Sequence, residues 1–193
     1  MDALIASFSM VALAEMGDKT QLLSFLLTSR YPGRPWPLIA GIFCATIVNH
    51  LVSAALGGWI ATHANPDYMR WGLGIAFLAF GAWALIPDKF DEEEKPSNFG
   101  PFFTTVVAFF IAEIGDKTQF ATVALGAQYS SLTQVVIGTT LGMMAANVPA
   151  VLLGQKLTRY IPLSKMRFVA AALFAVFGVL VLCKVKFGLG LGM

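Results

Sequence analysis

The chain has 193 residues, 57% of them hydrophobic and only 12% charged, against about 25% charged in soluble domains. Water is therefore not its main solvent, and a formal net charge of +2 is too small to mark an electrostatic partner, which excludes nucleic-acid binding. Cys44 and Cys183 stand in separate apolar stretches with neither C-x-x-C spacing nor a histidine pair, so neither a disulfide framework nor a zinc site is indicated.

Apolar runs of about 20 residues, long enough to cross roughly 30 Å of hydrocarbon, cover 3–27, 36–62, 68–87, 101–128, 132–157 and 165–187. They predict an all-α membrane protein with six transmembrane helices. The first run holds Ala14-Glu-Met-Gly-Asp-Lys-Thr-Gln21 past its middle. Ala12-Leu-Ala14 resembles a signal-peptidase site, but no Lys or Arg precedes it and cleavage would halve the helix. Tyr31-Pro-Gly-Arg-Pro-Trp-Pro37 ends that run, because proline lacks the N–H donor and clashes backward. The second run carries Asn49 and His50, and Asn65-Pro-Asp67 turns the chain into the third. There Ile75 to Ile86 is apolar on every side, unlike the alternating strands of a membrane barrel. Pro87-Asp88 and Pro96-Ser-Asn98 bracket an acidic segment, Asp88 to Lys95, with five of the chain's eleven carboxylates. It reads as a solvated linker, or else as a cytoplasmic cation sensor. The fourth run repeats the first motif, the fifth carries Gly138-x-x-x-Gly142 and Asn147, and the sixth holds basic residues only near its ends.

Ala112-Glu-Ile-Gly-Asp-Lys-Thr-Gln119 matches the first motif at seven of eight positions, at an offset of 98. The same offset carries Asn49 onto Asn147 and Ser24 onto Thr122, so the repeat extends beyond the motif. The halves are 1–87 and 101–193, joined by 88–100. Each has three crossings, an odd number, so the second half enters the membrane from the opposite side. This predicts two inverted-topology three-helix repeats, an arrangement that holds its binding site near the midplane between the halves. Arg30, Arg34, Lys89, Lys95, Lys156, Arg159, Lys165 and Arg167 fall on one side, and Arg70, Lys184 and Lys186 on the other. The excess of positive charge on cytoplasmic loops then predicts both termini outside the cytoplasm, in a bacterial inner (plasma) membrane.

Apart from Asp2, Asp67 and the linker, every carboxylate belongs to the motifs: Glu15, Asp18, Glu113 and Asp116. A charge in hydrocarbon costs from about 3 to over 10 kcal/mol, so these groups must face one another, a cation or water. On a continuous helix Glu15, Asp18 and Lys19 share a face, as do Glu113, Asp116 and Lys117. Gly17 and Gly115 allow close helix approach or a local break that frees backbone carbonyls. Oxygen donors at this density suit a hard divalent cation such as Mn²⁺ or Ca²⁺. The amide oxygens of Asn49, Asn147, Gln21 and Gln119 are further candidate ligands, with Thr20 and Thr118 in support. His50 reads as a packing residue, since its repeat mate is Val148. Four carboxylates and two ammonium groups net to −2, which one divalent ion or two protons would neutralise, an arithmetic suited to antiport. Static ion pairs that glue the helices are the plainer reading.

A duplicated E-x-G-D-K-T in the first and fourth helices, with an acidic central loop, resembles the Gdt-type cation/proton exchanger family over nearly the whole chain, its short bacterial members in particular. The resemblance implies transport of Mn²⁺ and Ca²⁺ against H⁺, with manganese export the bacterial activity. It assigns function to Glu15, Gly17, Asp18, Lys19 and Thr20, and to Glu113, Gly115, Asp116, Lys117 and Thr118. It implies no resident cofactor and no enzyme activity. The competing readings are Ca²⁺/H⁺ exchange as the main activity, a divalent cation channel, a hydrolase using Asp18 and Asp116, and an assembly protein. In the last, Gly138 and Gly142 pack helices within the chain or across a homodimer.

Overall fold

The computed structural model describes residues 2–86, 99–154 and 163–183. Among them all regular structure is helical: α1 (Asp2–Glu15), α2 (Lys19–Arg30), α3 (Pro35–His63), α4 (Pro66–Ala84), α5 (Gly100–Glu113), α6 (Lys117–Gln128), α7 (Leu132–Leu153) and α8 (Leu163–Leu182). The acidic linker and the basic residues Lys89, Lys95, Lys156, Arg159, Lys184 and Lys186 lie outside the described residues. Proline opens α3 at Pro35 and α4 at Pro66, where its missing N–H is no loss. The Asn65 side chain also accepts from Asp67 N at 2.9 Å. Helices α3 and α7 are long and apolar enough to cross a membrane.

Among the described residues eight helices stand in place of the six expected, because the first and fourth apolar runs each break at the motif. Gly17 has φ 86° and Gly115 φ 77°, a left-handed conformation that costs a residue with a side chain about 1–2 kcal/mol. Asp18 and Asp116 follow in extended conformation, with ψ 172° and 163°. The shared helical face expected for Glu15, Asp18 and Lys19 therefore does not form. Glu15 instead ends one half-helix, while Asp18 precedes the next, and Glu113 and Asp116 repeat the pattern.

Close contacts at glycines set the direction of the helices. Gly138 lies against Leu4 and Ser7, and Gly142 against Phe8 and Val11, so α1 and α7 run the same way. Gly41 meets Phe102 and Thr105 and Asn49 meets Phe110, so α3 and α5 also run together. Gly74 lies against Gly178 and Leu182, and Gly81 against Ala171 and Phe174, which makes α4 and α8 antiparallel. Gly138 and Gly142 are thus used inside the chain.

The distribution of polarity is inside out. Trp36, Phe43, Val52, Trp59, Ile75, Phe103, Ile111 and Phe168 are exposed, whereas Glu15, Thr20, Gln21, Ser24, Asn49, His50, Glu113, Thr118 and Asn147 are buried. In water this would invert the usual preference. In lipid it puts the apolar faces outward and gathers the polar groups where they satisfy one another.

Candidate cation site

The two breaks meet. Glu15, Glu113 and Asp116 are fully or almost fully buried, and each offers a carboxylate oxygen within 4.8 Å of the other two. Two of these come from one motif and one from the other, so neither half makes the cluster alone. Asp18 is equally buried but stands outside this group of three.

The motif threonines fix the carboxylates. Thr20 Oγ1 donates to Glu15 Oε2, while Thr118 Oγ1 lies 3.1 Å from Glu113 Oε2 and 3.3 Å from Asp116 Oδ2. Each threonine can donate only one proton at a time. Its contact leaves Glu15 Oε1 and Glu113 Oε1 buried with no hydrogen-bond partner among the described residues. An unpartnered buried oxygen is costly, and a cation or a proton removes that cost.

The lysines cross between the motifs. Lys19 Nζ is 3.3 Å from Asp116 Oδ1, and Lys117 Nζ is 3.5 Å from Asp18 Oδ1. Lys117 Nζ also donates to the Ile86 carbonyl just past α4, at 3.2 Å.

The amides take a different part. Gln21 Oε1 accepts from Gly17 N at 3.0 Å and Gln119 Oε1 from Gly115 N at 2.7 Å, so each glutamine ties its own break together. Gln21 Nε2 reaches Ala146 O on α7 at 3.0 Å. Asn147 Oδ1 accepts from Ser24 Oγ at 2.8 Å, and Asn49 Nδ2 lies 3.4 Å from Phe110 O. His50 is buried with neither ring nitrogen partnered among the described residues and is not in the carboxylate cluster.

Two participants had no sequence signal. The Ile86 carbonyl is a backbone group, and Arg167, counted above as a loop charge, lies in the second turn of α8 and donates from Nη2 to Gly17 O at 3.3 Å. It therefore weighs less in the loop-charge asymmetry.

The chain matches the family described as "Divalent cation/proton antiporter GDT1" at residues 3–92 and again at 101–188. It is 54% identical over 175 residues to a Vibrio cholerae protein named "Putative manganese exporter", covering 90% of this chain and 87% of that one. It is 28% identical to GDT1-like protein 3 of Oryza sativa, over 92% of this chain and 72% of the relative. A GDT1-like protein of Synechocystis is also 28% identical, over 93% and 96%. No solved structure matches the chain.

Proposed function

This chain belongs to the GDT1 family of divalent cation/proton antiporters, and from that premise we propose that it exports Mn²⁺ from the cytoplasm in exchange for H⁺. The transported ion binds at a midplane site made by both E-x-G-D-K-T motifs. The observation that carries this reading is the cluster of Glu15, Glu113 and Asp116, buried oxygens from two halves of the chain within 4.8 Å of one another. Mn²⁺ is the ion in the Vibrio relative's name, and it accepts the oxygen ligands that Ca²⁺ also accepts.

The halves act as inverted repeats, 1–87 and 101–193. Support comes from the shared direction of α1 with α7 and of α3 with α5, and from the antiparallel α4 and α8, the pairing an inverted duplication requires. With both termini outside the cytoplasm, Mn²⁺ enters between the halves from the cytoplasmic side. It is held by Glu15, Glu113 and one motif aspartate, and leaves when the halves rock to the other face. Protons then neutralise the carboxylates for the return. Moving net charge outward against an inside-negative potential costs about 2.3 kcal/mol per charge per 100 mV, so one Mn²⁺ for two H⁺ avoids that cost.

The test is Mn²⁺ and Ca²⁺ flux into proteoliposomes of purified protein, with and without an imposed pH gradient. Uphill Mn²⁺ movement driven by the gradient is expected, and Glu113→Gln abolishes it. Flux that runs only downhill whatever the pH gradient would make the protein a channel.

A further inference from the structure

The two cross-motif ion pairs are not equivalent. The Lys19 side chain is 25% exposed and the Lys117 side chain 7%. Lys19 reaches Asp116, one of the three clustered carboxylates, whereas Lys117 reaches Asp18, which is outside the cluster. Lys117 has a second anchor on the Ile86 carbonyl, and Lys19 makes no other hydrogen bond or ion pair among the described residues.

We propose that Lys19 and Lys117 are tethered internal cations that take turns. In this conformation Lys19 yields Asp116 to the incoming ion, while Lys117 withholds Asp18 from it. The inference rests on the cation site proposed above and adds the residues that decide which aspartate is a ligand.

The electrostatics favour this division. Three clustered carboxylates with the Lys19 ammonium leave a local charge of −2, and the Asp18–Lys117 pair is neutral by itself. A divalent ion seated between Glu15 Oε1, Glu113 Oε1 and Asp116 repels the ammonium at Asp116 Oδ1. At short range and low effective dielectric that repulsion is strong. Lys19 can accept displacement because a quarter of its side chain is left uncovered by the protein and no second anchor among the described residues holds it. Lys117 cannot leave as cheaply: its departure strands a buried Asp18 carboxylate and breaks a bond to the end of α4. Its release is thereby coupled to a movement of α4, which Lys19 does not need. After that movement the roles exchange. Asp18 joins the two glutamates, and Lys19 holds Asp116 out of the site.

The experiment combines Mn²⁺ binding by calorimetry with acetylation of lysines by an N-hydroxysuccinimide ester, read by mass spectrometry on the full chain in detergent. Saturating Mn²⁺ is expected to raise acetylation of Lys19 several-fold while Lys117 stays protected. Asp116→Asn should make Lys19 equally reactive without metal. As a second variant, Lys19→Gln removes the competitor and should tighten Mn²⁺ binding about fivefold, the magnitude of one partly exposed ion pair. If Mn²⁺ binds and Lys19 reactivity does not change, or Lys117 rises equally, the turn-taking is overturned and the site stands. Unchanged or weaker binding by Lys19→Gln also overturns it. No Mn²⁺ binding to the wild-type chain removes the site and the inference with it.

Discussion

Asp18 and Lys117 face each other with 2% and 7% of their side chains exposed, and without the lysine the Asp18 carboxylate, whose oxygens have no hydrogen-bond partner among the described residues, is left as a buried charge. Lys117→Met is therefore expected to destabilise the fold by roughly 3–5 kcal/mol, read as a fall in the thermal midpoint in detergent. The double variant Asp18→Asn with Lys117→Met should recover most of that loss, because neither charge of the pair then remains. A double variant no more stable than the single one would show that Lys117 matters through something other than this pair. The motif threonine offers a gentler change. Thr118→Val removes a hydroxyl within reach of both Glu113 and Asp116, so Mn²⁺ affinity should fall about tenfold with the fold retained. That is the order of a charge-assisted hydrogen bond, and calorimetry checks it.

At the scale of the element, the helix breaks separate two kinds of glycine. A Cβ on Gly115 would meet nothing within 4 Å, so Gly115→Ala bears only the conformational cost of a positive φ, about 1–2 kcal/mol. Gly142 is the opposite case. Its Cβ would stand 2.7 Å from Phe8 O and 2.9 Å from Ala12 N, in backbone that has no rotamer to change, so Gly142→Val must push α1 from α7. Thermal unfolding should rank Gly142→Val well below Gly115→Ala. The reverse order would mean that α1 and α7 are not packed through this face. The run lengths and proline turns made the helices legible in the sequence, and Gly17 and Gly115 marked where a break was possible. Whether the break occurs was not legible. A glycine permits a left-handed residue without requiring one, and what holds the turn is a set of contacts, among them Gln21 Oε1 with Gly17 N.

For the whole molecule, an inverted repeat makes a prediction that needs no transport assay. Gly33 and Ser130 are exposed and stand in equivalent connections, between the first and second spans of their halves. Inversion puts them on opposite faces. Single cysteines at these positions, with Cys44 and Cys183 replaced, should differ in intact cells. Ser130→Cys should react with an impermeant maleimide, and Gly33→Cys only after permeabilisation. Equal labelling would mean that the halves are not inverted, and the exchange of roles between Lys19 and Lys117 would lose its symmetry.

The sequence by itself determined the membrane class, the duplication and the four motif carboxylates, because these follow from composition, a fixed offset and the cost of charge in hydrocarbon. The amino-acid pattern also pointed to the family. Only the tertiary structure decided which charges meet. Glu15 lies 98 positions from Glu113, and Arg167 lies 150 from Gly17, separations over which no local periodicity carries information. The sequence counted Gln21 and Gln119 as ligand oxygens, yet the fold turns both toward the N–H groups that the breaks expose. It gave Lys19 and Lys117 identical surroundings. Their difference arises because one faces an aspartate inside the cluster and the other an aspartate outside it, a property of how two half-helices pack rather than of either motif.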